Sequence, residues 1–199
     1  MIVLGLMFFG ALAFWAGNID TEASELQNLI KPHNFVQGGN EAKVTIVEFL
    51  DPECEACRVM YPVMKNLMKE YEGKIRFVIR YMPFHGNSKL AAMMLEEARD
   101  QGKYESALDI LFERQGEWAN HAHPRPELIP ELLASVGVDE SKLDFSQLNS
   151  KHGWKVDLDK SDGMKLGVRL TPTFFVNGKI FNKIGYWPLK EAIEEELKQ

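Results

Sequence analysis

The chain has 199 residues, 45% of them hydrophobic and 26% charged, a composition that suits one folded domain, with or without an insertion, and argues against general disorder. The net charge is −6, with no basic run or aromatic–basic stripe, which argues against a nucleic-acid partner. There are two cysteines only, Cys54 and Cys57; a bridge closing so short a loop constrains the unfolded chain little, so chemistry explains the pair better than stapling does.

Residues 1–19 carry no charged side chain, and residues 2–16 are almost wholly apolar. A surface helix would show a polar face, so this segment reads as an export signal or membrane anchor rather than a core helix. It lacks the usual opening Lys or Arg, and neither Ala11-Leu12-Ala13 nor Ala16-Gly17 marks a decisive cleavage site. The expected compartment is the periplasm or extracytoplasmic membrane face, where disulfides persist. Residues 20–43 form a polar extension: 22–30 suits a short helix, and Gly38-Gly39-Asn40 breaks whatever precedes it.

Residues 44–50 (VTIVEFL) are β-branched and apolar, a buried strand that Asp51-Pro52 ends. A helix follows over 54–72, with Met60, Val63, Leu67 and Tyr71 on one face and Gly73 closing it. Residues 75–81 form a second strand, so strand, helix and strand imply a parallel pair with a right-handed crossover. The stretch 88–150 changes texture: helices over 89–99, 104–115 and 127–136, punctuated by Gly102, Pro124, Pro126 and Gly137, read as a helical insertion. One more helix spans 155–166. A strand over 173–176, an Asn177-Gly178 hairpin turn and a partner strand over 180–184 come next. A final helix over 189–197 starts behind Pro188, a residue tolerated in a first turn.

The chemistry concentrates in DPECEACRVMYP, which sets Cys-x-x-Cys where a strand hands over to a helix. At the helix start, free N–H groups and the helix dipole favour the Cys54 thiolate, the nucleophile of disulfide exchange. Cys57, one turn on and on the same face, is placed to resolve the mixed disulfide. A zinc site wants four ligands; there is no second Cys-x-x-Cys, and His33, His85, His121, His123 and His152 are scattered, so no metal is expected. Two inert buried cysteines are the remaining plain reading. Trp118, Trp154 and Trp187 read as packing residues.

Further features flank the pair in order. Glu48, six residues before Cys54, is a lone carboxylate in an apolar strand; burial raises a carboxylate's pKa, which suits a proton acceptor, although by alternation it also fits an outward edge position. Pro62, eight residues after Cys54, lacks an N–H and must disturb its helix or end it. YMPFHGNS precedes QGKYESALDILFERQ, and LTPTFFVNGK carries Thr171-Pro172 ahead of a strand. Over about residues 44–198 this arrangement resembles the DsbA-like members of the thioredoxin superfamily, in the branch with a helical insertion.

The resemblance implies an α/β, thioredoxin-like fold: a central mixed sheet flanked by helices, with an inserted helical subdomain over about 88–150 of a domain spanning 44–199. It implies Cys54 and Cys57 as the redox centre with no cofactor beyond their disulfide, and Glu48 as the buried acid that shuttles a proton for Cys57. It implies a kink at Pro62 and a cis bond at Thr171-Pro172, in a loop that faces the cysteines and pairs with the substrate backbone. The implied partners are protein thiols and disulfides, with a membrane redox partner; the oligomeric state stays open. Strong oxidases of this group commonly carry Pro-His between their cysteines, whereas here the dipeptide is Glu55-Ala56. Glu55 is expected to raise the Cys54 pKa, making a weaker oxidant than typical DsbA and leaving a reductase or isomerase role open. The competing classes are a redox-inactive or chaperone-like binding module on this fold and a glutathione-transferase-like enzyme, whose helices follow the thioredoxin part instead of interrupting it.

Overall fold

The computed structural model describes residues 29–199; the apolar segment 1–19 and most of the expected 22–30 helix lie outside the described residues. A sheet of five strands runs in the order β1-β3-β2-β4-β5, where β1 is Phe35–Gln37, β2 Val44–Leu50, β3 Ile75–Tyr81, β4 Thr173–Val176 and β5 Lys179–Phe181. Strands β2 and β3 are parallel, joined through helix α1 (Glu55–Glu70), and every other neighbouring pair is antiparallel. The sheet is therefore mixed, with β2 at its centre.

All seven residues of β2 are buried, since helices cover both faces of the sheet. Val44, Ile46 and Leu50 pack on the α1 side with Cys57, Met60 and Met64. Val47 and Phe49 pack on the other side with Val78, Met82 and Phe175. Period-two alternation places Glu48 on the face of Ile46 and Leu50, toward α1, and a surface-edge position is excluded.

Between β3 and β4 lie helices α2 (Ser88–Asp100), α3 (Tyr104–Glu113), α4 (Gln115–Trp118), α5 (Ile129–Ser135) and α6 (Phe145–Lys165). Helix α7 (Tyr186–Lys198) closes the chain, with Pro188 in its first turn. Three boundaries differ from those expected from the sequence. The strand β1 falls inside the supposed 20–43 extension; three residues are too few to show periodicity, and its pairing with β3 makes it part of the sheet. The helix expected over 155–166 begins ten residues earlier, inside the stretch assigned to the insertion, as the 21-residue α6, capped by the Asp144 carboxylate, which accepts from the N–H groups of Ser146 and Gln147. The partner strand after Asn177-Gly178 covers 179–181 only; the turn itself is as expected, both residues having positive φ.

Helix α6 lies close against the second sheet face. A Cβ at Gly163 would meet Met82 Sδ and Phe49 Cε1 at 2.9 Å, so only glycine permits that approach. A buried ionic network ties α6 to β3. Arg80 Nε donates to Asp159 at 2.8 Å, one Nη to Asp162 at 2.9 Å and the other to the Leu29 carbonyl at 3.1 Å, with the guanidinium 5.0 Å from the Phe49 ring. Asp159 also accepts from Asn34 and the Tyr81 N–H. Burial works against its charge, but the His33 hydrogen bond and the Arg80 field outweigh it and hold the carboxyl below its ordinary value. Arg80→Met removes the guanidinium from buried Asp159 and leaves it only His33, Asn34 and the Tyr81 N–H, and breaking such a buried pair costs about 3–5 kcal/mol; urea unfolding should show the midpoint falling with an unchanged slope, and an unmoved midpoint would count against the network.

Candidate active site

Cys54 is the N-cap of α1, with φ −76° and ψ 120°, and it makes no side-chain cap bond to the helix. The N–H groups of Ala56 and Cys57 still favour its thiolate electrostatically. As a thiol it donates to the Thr171 carbonyl at 3.3 Å. The cis Thr171-Pro172 bond therefore stands directly against the nucleophile, and the geometry the resemblance implied is present. Pro172 also lines a shallow groove with Arg169, Leu170, Ile180 and Ile184.

The two sulfurs are chemically unequal. Hydrogen bonding from the Cys57 thiol is the largest influence on Cys54; burial opposes it, and the Thr171 side chain and the two backbone N–H groups add to it. The net effect draws the Cys54 thiol down to about 6. Cys57 has no exposed surface, and burial, the hydrogen bond it gives to Cys54 and the Glu48 charge push it well above the ordinary thiol value. Cys54 is itself only 8% exposed, less than its helix-start position suggested, because the Thr171-Pro172 loop covers it.

Glu48 is fully buried, and neither carboxylate oxygen has a hydrogen-bond partner among the described residues. Desolvation, helped by the charge on Cys54, pushes it up to about 8, so at neutral pH it is mostly a carboxylic acid. Pro62 lies inside α1, which continues through it to Glu70.

Glu55 departs from the sequence expectation. Its carboxylate is turned outward, 57% exposed, and pairs with His121 Nε2 at 3.0 Å. The Cys54 thiol lies below its ordinary value and not above it. A charge facing water and a histidine is screened from the sulfur, while the backbone donors of the helix start act at contact. Ala56 contributes its N–H and is exposed.

Sequence reasoning missed the residues that shape the cysteine loop. Buried Asp51 accepts from the N–H of Glu53 at 2.8 Å, of Phe84 at 2.7 Å and of His85 at 3.2 Å, from the Ser88 hydroxyl, and holds the His85 ring through Nδ1 at 2.8 Å. Buried Glu53 accepts from the N–H of Asn87 and from the Ser88 hydroxyl. Gln115 donates to the carbonyls of Pro52 and Cys54 at 2.8 and 3.1 Å. Two carboxylates beside the cysteines were the available signal for Asp51 and Glu53. Gln115 lies 61 residues from Cys54 and offered none.

A thiol poised to ionise, a second thiol kept protonated one turn away, a buried acid and a cis-proline loop on a mixed sheet make this end of β2 the candidate active site. The comparisons with known proteins agree. The thioredoxin family model matches residues 31–195. Disulfide bond formation protein D of Bacillus subtilis is 31% identical over 175 residues, 82% of this chain and 77% of that protein. The oxidised crystal structure of BdbD from Bacillus subtilis superposes with a TM-score of 0.75 at 28% identity, covering 84% of this chain and 94% of that one. The Na(+)/H(+) antiporter NhaA of Herminiimonas arsenicoxydans is 29% identical over 189 residues, but this chain spans only 29% of its length. The chain belongs to the thioredoxin family, among its DsbA-like protein-disulfide oxidoreductases.

Two outcomes follow from the site. Titration of the thiolate absorbance should place Cys54 near pH 6, and Glu55→Gln should leave that midpoint unmoved; a clear fall would mean that the Glu55 charge does reach the sulfur. Stability should also carry two opposed pH dependences. Glu48, raised from 4.5 to about 8, contributes stability that is present below its unfolded value and lost as pH rises through about 8. Cys54, lowered from 9.0 to about 6, contributes stability that is present above its unfolded value and lost as pH falls through about 6. Oxidation removes both thiol contributions, of which that of Cys54 alone acts between about pH 6 and 8, so the disulfide form should lose stability more steeply over that range. Glu48→Gln should flatten that loss, and denaturant midpoints that fall equally in both forms would refute the assignment.

Proposed function

We propose that Cys54 and Cys57 form the redox centre and that the chain exchanges disulfides with protein thiols outside the cytoplasm, carried or anchored there by residues 1–19. No cofactor beyond the Cys54–Cys57 disulfide is required. The observation that carries the reading is the inequality of the sulfurs: one drawn down to about 6, the other held as a buried thiol beside Glu48. In the oxidising direction a substrate thiolate attacks Cys54 Sγ of the disulfide. The Cys54–Cys57 bond breaks, and the departing Cys57 sulfur takes a proton from the Glu48 carboxylic acid. A second substrate thiolate then attacks the substrate sulfur of the mixed disulfide and expels Cys54 as a thiolate. The substrate loses two electrons and the pair gains them; a membrane redox partner takes them onward. In the reverse direction Glu48 accepts the Cys57 proton. Thr171 and Pro172, against Cys54 and at the head of the apolar groove, receive the extended substrate chain.

The oxidising power we assign is intermediate. Thiolate stabilisation favours the reduced form, and a nucleophile at about 6 falls between the values of about 3.5 for DsbA and about 7 for thioredoxin. A weaker oxidant than typical DsbA follows, for a reason other than the Glu55 charge. Trapping tests the roles: Cys57→Ser should accumulate mixed disulfides with substrate proteins and Cys54→Ser should not. Equal trapping by both, or a wild-type pair inert toward a generic disulfide, would favour the redox-inactive binding module.

A further inference from the structure

The dipeptide between the cysteines supplies no cation, and the fold brings two imidazoles to the same place from elsewhere. His85 lies between β3 and α2, and its backbone N–H and its ring both reach the same Asp51 oxygen. Asp51 in turn accepts the Cys54 N–H on its own carbonyl at 3.0 Å, so one residue fixes both the cysteine turn and the imidazole. His121 comes from the segment after α4; its ring centroid is 5.1 Å from that of His85, at 41°. Each ring has its own carboxylate, Asp51 for His85 and Glu55 for His121. The charged and titratable groups facing His85 are Asp51, Glu53, Cys54, Glu55 and His121.

A purely structural role explains little of this. The Asp51 carboxylate already accepts from three backbone N–H groups and the Ser88 hydroxyl without the ring. With Nδ1 directed at Asp51, Nε2 has no hydrogen-bond partner among the described residues, and the ring is 31% exposed, so a second proton is accommodated without desolvating it.

We propose that His85, clamped on the Asp51 carboxylate whose own carbonyl holds the Cys54 N–H, is the positioning residue that supplies positive charge to the Cys54 thiolate, so that the oxidising power of the pair follows the protonation of a histidine outside the Cys-x-x-Cys motif. The inference rests on the thiol–disulfide exchange reading above. Burial alone would disfavour the imidazolium; the Asp51 hydrogen bond and charge, with those of Cys54 and Glu53, outweigh it and raise His85 above its ordinary value. Coupling is reciprocal, so whatever His85⁺ does for the thiolate, the thiolate does for His85⁺. The sign is definite: a stabilised thiolate stabilises the reduced pair and makes the disulfide more oxidising.

The test uses the full chain in two measurements. In the wild type, His85 ring resonances followed against pH in the reduced and the disulfide forms should titrate at higher pH in the reduced form; identical titration overturns the proposal without any variant. His85→Asn keeps a donor toward Asp51 and removes the charge. It should raise the pH at which Cys54 ionises and shift equilibrium with glutathione about fivefold toward the disulfide at pH 7, the scale of one partly screened charge. That difference should fade as pH rises through the histidine's own titration, which a packing defect would not reproduce. A folded variant with unchanged thiolate titration and unchanged glutathione equilibrium overturns the proposal while leaving the exchange reading intact. A wild-type pair that never equilibrates with glutathione overturns both.

Discussion

The site depends on one buried carboxylate. Asp51 ends the central strand, and its two oxygens accept from the N–H groups of Glu53, Phe84 and His85, the His85 ring and the Ser88 hydroxyl. Those donors come from the cysteine loop, the segment after β3 and the first turn of α2, so a single side chain sets the distance between the redox turn and the helical insertion. A buried carboxylate with that many donors is satisfied, whereas the same donors without it would be left unpaired at a cost of about 1–3 kcal/mol each. Glu53 repeats the device from one turn further, and Gln115 closes it by holding the Pro52 and Cys54 carbonyls. The insertion is in this sense part of the active site, since without it the cysteine loop loses most of its hydrogen bonds.

Inside that frame, burial and hydrogen bonding pull the ionisable groups apart. Glu48 and Cys57 share a dry interior in which the neutral form of each is favoured, so both are held protonated. Cys54, at the helix mouth, is surrounded by donors and goes the other way. Three groups that would separately ionise at about 4.5, 9 and 9 are thus rearranged so that the nucleophile carries the charge and the acid carries the proton. In the exchange we propose, the proton that Cys57 needs on leaving is stored beside it, in a carboxyl with no hydrogen-bond partner among the described residues.

The comparison with strong DsbA-like oxidases turns on how a thiolate is stabilised. A histidine inside the motif is one device; donors on the helix start, joined by the imidazole we propose on another element, are another. Here the motif residue Glu55 faces outward, where solvent and His121 absorb its charge. Reading redox strength from the two residues between the cysteines therefore misplaces the source of the field, because side chains at a helix start point away from the axis while backbone N–H groups point along it.

By itself the sequence determined the strand–helix–strand unit around Cys54 and Cys57, the Asn177-Gly178 turn and the helical character of the chain between β3 and β4. These are signals of local periodicity and turn chemistry, carried by neighbouring residues. Spacing also placed Cys54 at a helix start and Glu48 in the same strand. It did not decide which way Glu48 faces, since an apolar strand covered on both sides shows no alternation; only the docking of α1 and α6 on opposite faces settled that it lies toward Cys57. It missed β1, whose three residues are a strand only because β3 is beside them. Nor did it gather Asp51, His85, Ser88, Gln115 and His121 around one turn, because those contacts join residues 34 to 66 positions apart and exist only once β3 and the insertion have packed against the end of β2. Local chemistry lies in adjacent letters, whereas the electrostatic surroundings of a sulfur are made by whatever the fold brings near it.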